Sequence, residues 1–280
     1  MRLLLAAAAL AVTTPDLVDQ QIILPAEGPY SVTVSNLRGR VVAKGWNKNV
    51  VYIHAVKRAT HELAGEEADL FAKLKAVVKE PTKGEVVITT EAPGAGKFPS
   101  VQAQRLLHGV VDYELLIPPD CALNITQELG PIAVVGVGGN VKAFSRDGDV
   151  TLTDVSGWAE GTNERGALAF GNIHGDAVGK SFQGNLSFKG IEGDVRAASA
   201  TGNIRVDVPT RWVGEVGYHT VSGAFRSDLV TYKTTLHPGD KGYRGVLRGP
   251  LAGHEQPLVR YTLDTTSGDA TVASERAGAH

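Results

Sequence analysis

GPIAVVGVG, GNVKAFSRD, GDVTLTDVS, GWAEGTNER, GALAFGNIH, GDAVGKSFQ, GNLSFKGIE, GDVRAASAT and GNIRVDVPT are the nine consecutive units of residues 130–210, and their reading decides the fold. Each opens on a glycine, at 130, 139, 148, 157, 166, 175, 184, 193 and 202. A fixed period of this kind marks stacked repeats. The third position of every unit is apolar, but alternate units differ in bulk, so the true period is eighteen residues. One half carries Ile132, Val134, Val137; Val150, Leu152, Val155; Leu168, Phe170, Ile173; and Leu186, Phe188, Ile191, with Ile204 and Val206 starting a fifth set. Spacing of two puts the first pair of each triplet on one strand face, and the step of three implies a bend that returns the third residue inward. The other half carries small residues at its inward places: Val141 and Ala143, Ala159 and Gly161, Ala177 and Gly179, Val195 and Ala197. Large residues of one wall meeting small ones of the other is what a narrow coil needs to reach protein packing density.

The glycines, followed by Asn140, Asp149, Asp176, Asn185, Asp194 or Asn203 in six units, read as corners, where both residue types tolerate left-handed backbone. Ser145, Asn163, Ser181 and Ser199 recur every eighteen residues and form a polar column expected to bond to its own kind up the stack. About four and a half coils spaced about 4.8 Å apart give a rod roughly 20 Å long. The expected fold is therefore all-β, a β-helix-like β-solenoid over residues 126–276 with rungs of about 18 residues.

Working outward, residues 20–125 alternate like strands and contain one amphipathic helix expected over 62–79, with Leu63, Leu70, Phe71, Leu74, Val77 and Val78 on one face and Pro81 as its stop. Such a region can cover the open end of a solenoid. Beyond Pro209 the register breaks, then Ser222-Gly223 and Ser267-Gly268-Asp269 repeat the corner motif around a glycine-rich basic stretch, 230–257, read as a loop insertion. The opening MRLLLAAAALAV reads as a signal peptide with a short linker over 1–19, which predicts an exported protein, periplasmic or at the cell surface. No other stretch nears about twenty apolar residues, so no membrane span is expected in the mature chain.

SNLRGRVVAKGW, the acidic stretch followed by GEVVIT, VDYELLIPPD leading into ALNITQELGPIAVVGVGGNV, and the late TVSGAF and TTSGDATV occur in one order along nearly the whole chain. In these parts the sequence resembles the "putative adhesin" family of unknown function, also called the toastrack domain, of bacterial envelope proteins. The resemblance implies an exported β-solenoid associated with envelope sensing or surface attachment, and it carries no catalytic motif to this chain.

The chemistry legible in the residues is sparse. The net charge of −2, from 28 Lys and Arg against 30 Asp and Glu, argues against nucleic acid as a partner. Calcium-binding nonapeptide rolls need further glycines and an aspartate in each unit, and Gly138-Gly139 is the sole glycine pair of the repeat. The eight histidines, His54, His61, His108, His174, His219, His237, His254 and His280, lack ligand spacing, and Cys121 is the single cysteine. No metal and no cofactor are expected. Lys142, Glu160, Val178 and Arg196 form an outward column that reads as a solvated charge ladder, and Asp147 and Asp149 read as corner residues rather than an acid–base pair. No catalytic residue is assigned. Trp158 stands at a corner that six of the nine units fill with Asn or Asp, which makes it the candidate binding residue, positioned to stack on a sugar or a partner protein. Trp46 and Trp212 are expected to seal core ends. The function read from this pattern is a non-enzymatic binding or scaffold module of the bacterial envelope, with an envelope protein or surface glycan as partner. A carbohydrate-active β-helix enzyme and a self-assembling structural protein are the alternatives.

Overall fold

The computed structural model describes residues 17–23, 30–92, 109–208, 214–229, 233–238, 243–248 and 259–274. Ahead of the repeat lie β1 (Leu17–Ile23), β2 (Tyr30–Arg38), β3 (Val41–Gly45), β4 (Val50–Ala59), helix α1 (Glu66–Ala72), β5 (Lys75–Lys79), β6 (Glu85–Glu91) and β7 (Gly109–Ile117). The repeat and its lead-in form β8 (Cys121–Leu129), β9 (Ile132–Val135), β10 (Val141–Asp147), β11 (Val150–Val155), β12 (Ala159–Arg165), β13 (Leu168–Ile173), β14 (Ala177–Gln183), β15 (Leu186–Ile191), β16 (Val195–Thr201) and β17 (Ile204–Val208). After it come β18 (Gly214–Thr220), β19 (Phe225–Ser227), β20 (Lys233–Pro238), β21 (Tyr243–Arg248), β22 (Val259–Ser267) and β23 (Ala270–Ser274). The described chain is mostly β, in two mixed sheets of 11 and 12 strands with solenoid-like parallel stacking.

In the repeat the pairing follows the eighteen-residue period: Val150, Leu168, Leu186 and Ile204 align in one sheet, and Val141, Ala159, Ala177 and Val195 in the other. Large side chains meet small ones as the sequence implies. Phe170 and Phe188 stack with centroids 4.6 Å apart, and a Cβ added to Gly161 or Gly179 would stand 2.8 or 2.7 Å from their rings. The step of three also holds, because Val137, Val155, Ile173 and Ile191 are all buried.

The corners bear out the expectation in part: Gly130, Gly166 and Gly202 take positive φ. Left-handed backbone falls at Gly136, Asp154, Asn172 and Gly190, one per rung in the bend before that third inward residue. The unit-opening glycines answer also to rung-to-rung approach: a Cβ on Gly148, Gly166, Gly184 or Gly202 would lie under 3.0 Å from the carbonyl of the glycine one rung below. The Asn and Asp beside them brace the next rung, with Asp149 Oδ1 accepting from the Ala167 N–H at 2.7 Å and Asp176 Oδ1 from the Asp194 N–H at 2.9 Å. The polar column is likewise redirected. Ser145 and Ser199 donate to the carbonyls of Gly130 and Gly184 rather than to each other. Corner carbonyls turned away from the sheet ladders need a donor, and the column supplies it. It extends further than the repeat, to Thr90, Asn36 and Gln127 on one side and Thr265 and Thr220 on the other, all buried.

Strands before and after residue 126 share the same two sheets, but the end rungs are out of sequence order. The β2–β3 pair sits between β6–β7 and β8–β9, and β22–β23 sits between β16–β17 and β18–β19. Antiparallel strands then close the ends, β4 and β1 on one sheet, and β5 at one end and β21 and β20 at the other end of its companion. Two expectations are corrected here. The helix covers Glu66–Ala72 only, because Lys75–Lys79 pairs antiparallel with β6. The 230–257 stretch is not a simple loop, since β20 and β21 form a hairpin that pairs to β18. Strand β1 begins at Leu17, within the segment expected to be signal and linker.

Candidate functional site

On β14 the sequence AVGKSFQ alternates, turning Ala177, Gly179 and Ser181 inward and Val178, Lys180 and Phe182 outward. Phe182 is 61% exposed, an unusual place for a phenyl ring. Lys180 is in register with Ala198 of β16, Ala198 with Asp264 of β22, and Asp264 with His219 of β18. Two residues further along, Phe182, Ala200, Thr266 and Val221 line the same face. The methyl groups of Ala198 and Ala200 form a low floor, and taller side chains on either side wall a groove of about 430 Å³.

The groove has two characters. At one end Lys180 faces the His219–Asp264 pair, whose Nδ1 and Oδ1 are 3.9 Å apart and half exposed. At the other, Phe182 and Val221 present apolar surface. Lys180 makes no ion pair among the described residues. The arrangement offers a cation, a carboxylate, an imidazole and a ring to a ligand in one shallow trough.

A larger concavity, about 610 Å³, lies beside the Arg38–Arg40 bend. Its cations are spent internally, with Arg58 Nε 2.7 Å from Asp112 Oδ2 and Arg40 Nη2 3.2 Å from Glu114 Oε1.

Trp158 is 40% exposed at its corner, its backbone N–H bonded to Asn140 Oδ1 at 3.1 Å. It precedes the sheet strands at the end opposite Phe182, roughly 20 Å away along the strand direction, so the two rings do not share a surface. Lys142 pairs with Glu160 at 3.3 Å, as a charge ladder does. Asp147 pairs with Arg165 at 2.8 Å while Asp149 braces Ala167, so neither is poised as an acid or base. Cys121 is buried, and burial pushes its thiol up to about 12, which makes it a packing residue. His174 lies 3.6 Å from Glu192 and His61 3.4 Å from Glu67, both on the surface. Trp46 is half-buried and donates to the Val50 carbonyl. Trp212 lies outside the described residues. Among the described residues no three His, Cys, Asp or Glu side chains converge as a metal site would require.

Phe182 was missed by sequence reasoning, although a signal existed. At the equivalent outward place the other small-residue units carry Arg146, Glu164 and Ala200, so a phenylalanine there is out of pattern.

No family model matches this chain, and no curated protein matches it. Among solved structures it is similar to one described as a "putative cell adhesion protein" from Clostridium sporogenes, at 10% identity and a TM-score of 0.39, covering 94% of this chain and 100% of that one. Another, described as a "putative adhesin" from Bacteroides fragilis, is 9% identical at a TM-score of 0.39, covering 93% of this chain and 98% of that one. Likeness at this level carries no structural or functional argument. No described helix is long and apolar enough to cross a membrane.

Proposed function

We propose that this chain is a β-solenoid acting as a non-enzymatic, exported binding or scaffold module of the bacterial envelope, periplasmic or at the cell surface, and that it binds through the groove floored by Ala198 and Ala200. The observation that carries this reading is the exposed ring of Phe182 beside Lys180, which has no ion-pair partner among the described residues, in a trough that none of their side chains fills. A solvent-facing ring on a rigid strand loses little entropy when a partner covers it. The apolar opening of the sequence supports export, and the motif resemblance supports an adhesin-like role. The partner is an envelope protein or a surface glycan.

Photocrosslinking in cells tests this directly. A crosslinker at position 182 is expected to yield a recurrent protein or glycan adduct in the envelope fraction, and one at position 158 serves as comparison. Adducts from 158 alone would move the site to the Trp158 corner. Turnover of a polysaccharide, abolished by replacing one or two carboxylates, would establish the enzyme alternative instead.

A further inference from the structure

Resting on that binding reading, we infer that the groove takes a sugar acid: a carboxylated pyranose unit of a surface glycan. The groups present divide as the two sides of such a ring do. Lys180 brings an ammonium without a carboxylate partner among the described residues, the complement of a sugar carboxylate. Across Ala198, Asp264 at two strand spacings, about 10 Å, and His219 at three, about 14 Å, bring acceptor and donor capacity suited to ring hydroxyls. Phe182, two residues beyond Lys180 on the same outward face, gives the C–H face of the sugar an apolar platform. The alanine floor leaves room for the ring itself. An apolar peptide would use Phe182 and Val221, but it would give Lys180 and Asp264 nothing to bind.

Calorimetry with the full chain tests the inference, using trisaccharides of galacturonate, glucuronate and mannuronate and the same oligomers with their carboxylates reduced to alcohols. At least one uronate is expected to bind, its reduced form at least tenfold more weakly, with affinity falling as salt rises. Lys180→Gln and Phe182→Ala are expected each to lose about tenfold with unchanged melting temperature, and Lys180→Arg to retain binding. Equal binding of acid and reduced forms, or indifference to Lys180→Gln, would overturn the sugar-acid assignment. If no oligomer binds while a crosslinker at 182 captures one envelope protein, the assignment fails and the binding-module reading stands. If neither occurs, both fail.

Discussion

The middle of the rod, β10 to β17, and its two ends are built from the same kind of rung but ordered by different rules. In the middle each strand pairs with the one eighteen residues on, so sequence order is spatial order. At the ends a strand pair from the extreme of the chain is slotted one place inward, β2–β3 under β6–β7 and β22–β23 under β18–β19. Both slotted pairs gain neighbours on each side, whereas a terminal pair left outermost would expose a ladder edge. Stacking is thus a local property, and closure of the stack is a long-range one. The candidate groove lies on the second kind of ground, since Asp264 reaches Ala198 only because β22 enters between β16 and β18.

The sharpest way to break the comparison is a buried charge in each region. Phe170→Asp is expected to cost several kcal/mol, because the charge would stand among side chains with no partner. Phe225→Asp, on a half-buried ring stacked against Tyr218 in the outermost rung, is expected to cost less than half as much. Equal losses in denaturant melts would mean that the end rungs are as essential as the middle.

A smaller contrast comes from glycine. Gly148→Ala drives a methyl into the Gly130 carbonyl and is expected to cost about 1–3 kcal/mol. Gly217→Ala, in β18, would find its nearest atom among the described residues 3.9 Å away and is expected to change stability by less than about 0.5 kcal/mol. If both proved neutral in thermal unfolding, close rung approach would not be why glycine recurs.

Within the middle the polar column has one weak member. Asn163 donates to Gly166 O at 2.8 Å, taking the acceptor that the pattern assigns to Ser181, whose buried hydroxyl is left without a partner. Ser145→Ala is therefore expected to cost about 1 kcal/mol and Ser181→Ala nothing, or to stabilise slightly. The reverse order would show that the column acts through packing alone.

The least effect is confined to the last rung and depends on pH. The Ala224 N–H, and then Arg226, hold the Asp269 carboxyl below its ordinary value. A lowered folded pKa contributes stability above the ordinary carboxylate range, lost as pH falls through the folded value. Protection of the Ala224 amide, relative to its intrinsic exchange rate, is expected to fall as pH drops through that lowered value, beneath the ordinary carboxylate range of about 4, and Asp269→Asn should remove that dependence. The same pH dependence in Asp269→Asn would exclude the carboxylate as the clasp.

The eighteen-residue period, the large-against-small pairing and the inward third residue were legible because each depends on side chains a few places apart on one strand or bend. The rung-to-rung approach of the corner glycines and the acceptors of the Ser145 column were not, because their partners lie one rung away, at Gly130 for both Gly148 and Ser145. The helix was overextended for a related reason. Val77 and Val78 fit a helical stripe and a strand equally well, and pairing with β6 chose between them.

The site divides in the same way. Strand alternation by itself fixes Phe182 on the outward face of its strand, although the sequence reading did not single it out. Only the tertiary structure decided that Lys180 and Phe182 would stand across two alanines from Asp264 and His219, residues about eighty and forty places further along the chain. Hydrogen-bond ladders accept any strand of matching pattern, so the insertion of β22 is settled by burying edges and filling the core, which no local stretch of sequence records.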